Sequence, residues 1–164
     1  MKGSTASIRL ATEVDLPSLA ALIYTSFIEY KPSYTDEGFA ATTPTSDQLA
    51  RRMAEGPIWV AVQDEVVLGT VSVVSRGDEL YIRGMAVAPE TRGLGLGELL
   101  LKTVEDLALA HGHKRLVLST TPFLFRAIRL YTRFGFQRTT DGPHELFGTP
   151  LFTMVKELQQ KGPL

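Results

Sequence analysis

Three closely spaced glycines follow an apolar stretch and lead directly into a leucine-rich segment. They are Gly93, Gly95 and Gly97, within the run from residue 85 to residue 101. Glycine removes side chains where backbone N–H groups must converge on a ligand, and a helix that begins there adds the positive end of its dipole. The run therefore predicts a strand, a turn and a helix start that together bind an anion such as a phosphate.

The glycine spacing excludes the two common nucleotide-binding patterns. A dinucleotide fingerprint needs a third glycine three residues after the second, but Glu98 or Leu100 stands there, depending on where the count begins. A P-loop needs a Gly-Lys-Ser or Gly-Lys-Thr triplet, and the chain contains neither. The predicted anion therefore belongs to another kind of ligand.

A second pattern is a tyrosine-containing segment that follows an apolar strand pattern at residues 116–120. Together with Arg92-x-x-Gly95-x-Gly97, it resembles the motifs of the GNAT superfamily, the acetyl-CoA-dependent N-acyltransferases. The resemblance is specific over residues 79–136 and only general elsewhere. The segment is Ala127-x-x-Leu130-Tyr131-x-x-x-Gly135-Phe136.

The resemblance implies that the ligand is acetyl-CoA, used as a co-substrate without a metal. The backbone amides of residues 93–98 would hold its pyrophosphate, while Met85 and Val87 would pair with the pantetheine arm as a strand does. The amide of Val87 would also polarise the thioester carbonyl. At Leu124 the chain departs from the family, because many relatives carry Asn there. The implied acetyl-CoA contacts are Met85, Ala86, Val87, Arg92, Gly93, Leu94, Gly95, Leu96, Gly97, Glu98, Ser119, Leu124, Ala127 and Tyr131.

The same resemblance assigns catalytic roles. Tyr131 would be the general acid, because a phenol with a pKa of about 10 is protonated at neutral pH and can donate to a thiolate whose conjugate acid has a pKa of about 8.5. The alternative is a tyrosine that only packs its ring. Glu79, at the start of the strand before the glycines, would be the general base, and Glu29 is the second candidate. For both carboxylates the alternative is a solvated surface residue.

The acceptor side is expected near an aromatic and acidic stretch between residues 24 and 37. We expect Phe27, Glu29, Tyr30 and Tyr34 to bind the substrate, since aromatic faces and carboxylates suit a cationic amine. The predicted function is transfer of an acetyl group from acetyl-CoA to a primary amine of a small molecule, by direct attack in a ternary complex. A protein or peptide acceptor, and a non-catalytic acyl-CoA sensor, remain as alternatives.

The composition suits one ordinary domain over residues 1–164. Hydrophobic residues make up 44%, and the formal net charge of −1 argues against a nucleic-acid partner. The absence of cysteine excludes disulfides and thiolate metal sites. No run approaches the roughly 18 apolar residues of a membrane span, and residues 1–5 contain no apolar signal-peptide core. We therefore expect a cytoplasmic protein that does not bind membranes.

The three histidines, His111, His113 and His144, lack metal-ligand spacing, so no metal site is expected. Exposed sheet edges and a final hairpin make a homodimer plausible.

The order of predicted elements is β-α-α-β-β-β-α-β-α-β-β. It favours an α/β fold of three layers, with a mixed, largely antiparallel central sheet and helices on both faces, which is the GNAT-like plan that the motifs imply. Residues 31–45 are rich in Pro, Ser, Gly and Thr and predict a loop of about fifteen residues. Residues 47–55 predict a short helix.

Overall fold

A computed structural model describes residues 5–142 and 144–159. One mixed sheet forms the centre, and its helices pack on both faces, as predicted from the order of elements. The strands are β1 Ser7–Leu10, β2 Ile58–Gln63, β3 Val66–Arg76, β4 Glu79–Val87, β5 Arg115–Thr120, β6 Gln137–Arg138, β7 His144–Leu146 and β8 Thr149–Glu157. The helices are α1 Leu16–Phe27, α2 Asp36–Thr42, α3 Ser46–Glu55, α4 Leu96–Ala110 and α5 Phe125–Phe134.

The strand order across the sheet is β1-β2-β3-β4-β5-β8-β6, with β7 paired to β8. Among the pairs that the structure describes, β4 and β5 run parallel and the others are antiparallel. A parallel pair needs a crossover connection, which α4 supplies between β4 and β5. The sheet is therefore largely antiparallel, with its one described parallel step at the place where the glycine-rich turn enters α4.

Two apolar cores lie on opposite faces of the sheet. Residues at helical spacing on α4, including Leu100 and Val104, pack with β5 and with Phe136 behind α5. On the other face Leu19 of α1 and Leu49 of α3 pack against β2. These buried faces hold β4 between two layers of helices, so the end of β4 that leads into the glycine turn lies on a rigid support.

Residues 31–45 differ from the predicted loop. A 3₁₀ turn covers Ile28–Ser33, and α2 follows, with the Thr35 hydroxyl accepting from the Gly38 amide at 3.0 Å as its N-cap. Burial of Phe39 anchors this short helix. Seven residues are too few to show a helical period, and Gly38 within them argues against a helix, so the sequence pattern concealed it.

Other predicted boundaries need smaller changes. The helix predicted over residues 47–55 begins one residue earlier, where Thr45 and Gln48 form a capping box. Pro143, in the predicted loop before the last hairpin, lies outside the described residues. Within those residues no helix has both the length and the apolar character needed to cross a membrane.

Candidate active site

The sheet opens between β4 and β5. The two strands are in register from Glu79 opposite Arg115 to Ile82 opposite Leu118, and the pairing stops there although β4 continues to Val87. At the same point the pairing of β4 with β3 shifts by one residue and leaves Arg83 as the extra residue of a β-bulge. The bulge bends β4 away from β5 and exposes an unpaired strand edge over residues 84–87.

The orientation of the backbone amides along this edge follows from one hydrogen bond. The amide of Ala88 donates to the carbonyl of Leu68 in β3 at 2.8 Å. Because backbone groups point alternately to the two sides of an antiparallel strand, the amides of Val87 and Met85 point into the gap. The Val87 carbonyl accepts from the hydroxyl of Ser26 at 3.2 Å. The gap is therefore lined by strand amides that β5 does not reach.

The start of α4 faces the same gap with a second set of amides. Gly93 and Gly95 both have φ of +85°, a left-handed conformation that favours glycine. The amide of Leu94 donates to Thr91 at 3.2 Å, so it is occupied by the turn itself. No acceptor for the other amides of this turn is found among residues 5–142 and 144–159. These free amides belong to Gly93, Gly95, Leu96, Gly97 and Glu98.

Converging amides and a helix dipole make this turn receptive to a doubly charged anion. Nothing lies within 4 Å of a Cβ built on Gly93 or Gly95, so the space above them is open to a ligand. A Cβ on Gly97 would instead lie 2.6 Å from Leu130 of α5 and 3.3 Å from Met85 of β4. Gly97 therefore lets the helix start approach both neighbouring elements closely.

An ion-pair cluster ties the glycine turn to the segment after α1. Arg92 Nη2 lies 2.5 Å from Glu29 Oε1, and Glu29 Oε2 lies 3.8 Å from Arg126 Nη1 at the start of α5. Arg92 also donates to the Ser26 carbonyl at 3.4 Å. Glu29, expected at the acceptor side, is thus held by two guanidinium groups.

Tyr131 lies on the buried face of α5, and only 8% of it is exposed. Its ring meets Phe136 edge to face at 5.8 Å between centroids. Burial, with a smaller contribution from the neighbouring phenol of Tyr34, raises the pKa of Tyr131 to about 12. The phenol therefore stays protonated over the whole neutral range, as a hydrogen donor must.

An aromatic cluster covers the acceptor side. Tyr34 is only 8% exposed and contacts Phe123 at 4.8 Å and Phe39 at 5.9 Å between ring centroids, while Tyr30 also meets Phe123, at 6.3 Å. Burial raises the pKa of Tyr34, and the neighbouring hydroxyl groups of Thr42 and Thr121 offset part of this increase. The structure thus brings Tyr30 and Tyr34 together near Tyr131.

Two expected site residues fall elsewhere. Phe27 packs against the core shared by α1 and β2. Glu79 lies at the opposite end of β4 and pairs with Arg115 at 3.7 Å. Glu79 and Met85 are six positions apart on β4, which at about 3.3 Å per residue is roughly 20 Å along the strand. The structure therefore does not bring Glu79 beside the open edge of β4, and its role as general base stays a prediction.

The remaining expected contacts flank the gap. Ser119 lies on β5 beyond its last pairing with β4. Leu124 is the N-cap of α5 and provides no side-chain cap, while its amide donates to Thr121 at 3.2 Å. Ala127 packs against the core beneath α4. The start of α5 therefore has no side-chain cap at Leu124.

Sequence reasoning missed Phe123, which joins the aromatic cluster, and Arg52, which approaches Gly84 in the bulged part of β4. The signal for Phe123 was its position just beyond β5. Arg52 lies on an amphipathic helix where an arginine is ordinarily solvated, so no sequence signal distinguished it. The described residues contain no group of three or more His, Asp or Glu side chains that could hold a metal ion.

Fold and site together define a three-layer α/β protein whose sheet opens beside a helix start that can bind an anion. Residues 20–136 match the model of the Acetyltransferase (GNAT) family. The chain is 30% identical over 136 residues to the uncharacterized N-acetyltransferase YjgM of Escherichia coli K12, covering 79% of this chain and 81% of that protein. The chain belongs to the GNAT family.

Other relatives extend the comparison. N-acetyltransferase 8B of Homo sapiens is 31% identical over 130 residues, which cover 74% of this chain and 57% of the human protein. PaiA N-acetyltransferase of Thermoplasma acidophilum, solved in complex with coenzyme A, superposes with a TM-score of 0.82 at 17% identity, covering 94% of this chain and all of that one. A putative acetyltransferase of Salmonella typhimurium, yncA, solved with acetyl-CoA, gives 0.72 at 24% identity and 98% coverage of both. These two likenesses establish the shared fold.

Proposed function

We propose that this protein is an acetyl-CoA-dependent N-acetyltransferase that acts on a primary amine of a small molecule. The observation that carries the proposal is the meeting of two sets of unpaired amides, at the start of α4 and along residues 85–87 of β4. The first set suits a diphosphate, and the second suits a chain of amide groups that pairs like a strand. Acetyl-CoA carries both, in that order from one end.

The residues around the gap supply the chemistry. The amine nitrogen forms a bond to the thioester carbonyl carbon, and the bond from that carbon to sulfur breaks. The amide of Val87 is our candidate donor to the carbonyl oxygen as negative charge develops there. Tyr131, which stays protonated because burial raises the pKa of its phenol to about 12, donates a hydrogen bond or a proton to the leaving thiolate, and a donated proton is replaced from solvent.

The amine must lose a proton before or during attack. Glu79 lies at the far end of β4, and both oxygens of Glu29 face guanidinium groups. We therefore assign removal of the amine proton to water at the acceptor side rather than to either carboxylate.

A hydrogen-bonded tie between two segments supports a small acceptor. The Thr35 amide donates to Thr149 Oγ1 at 2.9 Å, and the Thr35 hydroxyl donates to the Phe147 carbonyl at 2.8 Å. This tie bridges the segment after α1 and the turn between β7 and β8. A closed acceptor side favours a compact amine over an extended peptide. We also keep the cytoplasm as the expected compartment and a homodimer as the expected assembly.

Calorimetry with acetyl-CoA and a thiol-release assay over a panel of small amines and short peptides test the proposal. We expect binding, and turnover with small amines that exceeds turnover with peptides. Gly95→Ala should weaken binding about tenfold or more, because a methyl group strains a left-handed turn and narrows the anion site. Gly77→Ala is the matched control, since Gly77 has φ of +60°, open space around it and a place in the distant β3–β4 turn.

Each outcome has a meaning. Absence of acetyl-CoA binding would overturn the whole proposal, and binding without thiol release on any amine would indicate an acyl-CoA sensor instead. Equal weakening by Gly95→Ala and Gly77→Ala would show that the glycine turn is not the anion site.

A further inference from the structure

Arg52 is a half-buried cation on α3 for which the described residues provide no carboxylate within 4.0 Å. Its guanidinium donates to the Ala41 carbonyl at 3.3 Å. Burial, and then the positive charge of Arg83, lower the pKa of Arg52 from its ordinary value. A guanidinium removed from water without an opposite charge is unfavourable, and an anionic ligand is one arrangement that compensates for it.

Other arginines of the chain illustrate the contrast. Arg83 pairs with Glu55, while Arg76 and Arg138 lie over aromatic rings. Arg51, the neighbour of Arg52, is exposed on the same helix. Arg52 therefore combines burial with free hydrogen-bond donors, which is the condition of a binding residue rather than of a solvated one.

The position of Arg52 connects it to the acceptor side. A Cβ on Gly84 would lie 4.0 Å from Arg52 Nη1 and 3.4 Å from Ser72 Oγ. Gly84 precedes Met85, in the part of β4 that has left β5. The missing side chain at Gly84 thus leaves a space beside the open strand edge that is bordered by a guanidinium and a hydroxyl group.

The same guanidinium also contacts the helix that carries part of the aromatic cluster. Ala41, which accepts the hydrogen bond from Arg52, lies on α2 two residues after Phe39, and Phe39 packs against the ring of Tyr34. Arg52 therefore lies between the open edge of β4 and the helix that supports the aromatic side of the acceptor region.

We propose that Arg52, with Ser72 beside it, binds an anionic group of the acceptor, a carboxylate or a phosphate, so that the acceptor is an amine that also carries an acid. This inference rests on the proposed function. It adds an acid to the expected cationic amine, because Arg52 has no carboxylate partner among the described residues, while the carboxylate of Glu29 is already shared by Arg92 and Arg126.

Matched pairs of acceptors test the proposal in the thiol-release assay. Amino acids are compared with their own amides, and aminoalkyl phosphates with the corresponding amino alcohols. The wild-type protein should prefer the acid of one pair by about 10- to 100-fold in kcat/KM, as expected for a hydrogen bond between charged groups. The pair with the larger ratio tells whether the anion is a carboxylate or a phosphate.

Arg52→Met keeps an unbranched, flexible stem and removes the guanidinium group with its charge. In this variant the ratio of kcat/KM for the acid to kcat/KM for its neutral partner should fall close to one, because KM for the acid rises. Calorimetry should give an unchanged Kd for acetyl-CoA. Arg52→Lys should restore part of the ratio. The control is Arg51→Met, which changes the exposed neighbour on the same helix and should leave the ratio unchanged.

Two results would overturn the inference. One is equal wild-type kcat/KM for the acid and neutral members of both pairs, a measurement that needs no variant. The other is an equal loss on acid and neutral acceptors in Arg52→Met, which would make Arg52 only a tie to Ala41. In both cases the proposed function is retained if the wild-type protein binds acetyl-CoA and releases thiol. If the wild-type protein does neither, the proposed function itself is wrong.

Discussion

Arg92 and Glu29 form a 2.5 Å ion pair that joins the glycine turn to the segment following α1. The pair links two residues that are 63 positions apart in the sequence. Because Arg92 begins the turn whose amides face the gap, its position influences how those amides converge. We therefore regard Glu29 as a residue that positions the turn.

Glu29→Gln should raise the Kd for acetyl-CoA by about two- to fivefold, a modest change because the carboxylate is 42% exposed and screened by water. The pH profile of kcat/KM should keep its shape, since a positioning residue transfers no proton. Calorimetry and steady-state kinetics measure the two effects. Asp106→Asn, which breaks an exposed ion pair with Lys102 on α4, is the control. Loss of the acidic limb of the profile in Glu29→Gln would restore Glu29 as the base.

Tyr131→Phe should lower kcat by about 10²- to 10³-fold, within the usual range for removing a general acid, and leave the Kd for acetyl-CoA nearly unchanged. Burial raises the pKa of Tyr131 to about 12, so its proton is retained until the solution is strongly alkaline. The wild-type profile should therefore show no loss of rate from Tyr131 ionisation below about pH 10.

The control for this prediction is Tyr81→Phe, which removes a phenol of β4 in the part of the strand that remains paired with β5. Its kcat should match that of the wild type. Unchanged turnover in Tyr131→Phe would leave Tyr131 as a core aromatic and require another donor for the thiolate.

Gly56→Ala should destabilise the fold by about 2–4 kcal/mol, the range of severe backbone clashes. A Cβ at Gly56 would overlap the backbone carbonyl of Val73, which cannot rotate away as a side chain could. Urea unfolding measures the change. Gly77→Ala, in an open turn, should cost only about 1 kcal/mol from its left-handed backbone. Equal costs would show that α3 and β3 separate easily.

The sequence allowed the central part of the fold to be predicted because local patterns determine it. The limits of β4, the glycine turn and the position of Tyr131 on a helix all follow from short-range periodicity and glycine placement. The site depends on contacts across the sheet. The distance of Glu79 from the gap arises from the register between β4 and β5, and the pairing of Glu29 with Arg92 arises from chain reversal, neither of which a single sequence reveals.

Short elements and single side chains also limited what could be predicted from the sequence. Helix α2 depends on Thr35 reaching Thr149, a hydrogen bond across 114 positions of the chain. The close approach of the Arg52 guanidinium to β4 depends on the absence of a side chain at Gly84. Both are tertiary effects at polar residues, which carry no hydrophobic period.

Asp15 provides a test of stability that is independent of catalysis. Its carboxylate accepts two hydrogen bonds from Arg9, at 2.8 and 2.9 Å, and one from the Thr12 amide at 2.8 Å. The hydrogen bonds from Arg9 chiefly lower the pKa of Asp15 to about 2, against the effect of burial. A folded-state pKa below the unfolded value of 3.8 contributes stability that is present above that value and is lost as the pH falls towards 2.

Asp15→Asn should therefore reduce the free energy of unfolding by about 1–2 kcal/mol near pH 7, less than the full shift implies because Arg9 is half exposed. The difference between wild type and variant should shrink below about pH 4, because the wild-type carboxyl then takes up the proton more readily in the unfolded chain. Urea unfolding at neutral and acidic pH measures both values, with Asp106→Asn as the exposed control. A difference that stays constant down to about pH 2 would mean that packing at the start of α1, and not the charge of Asp15, provides the stability.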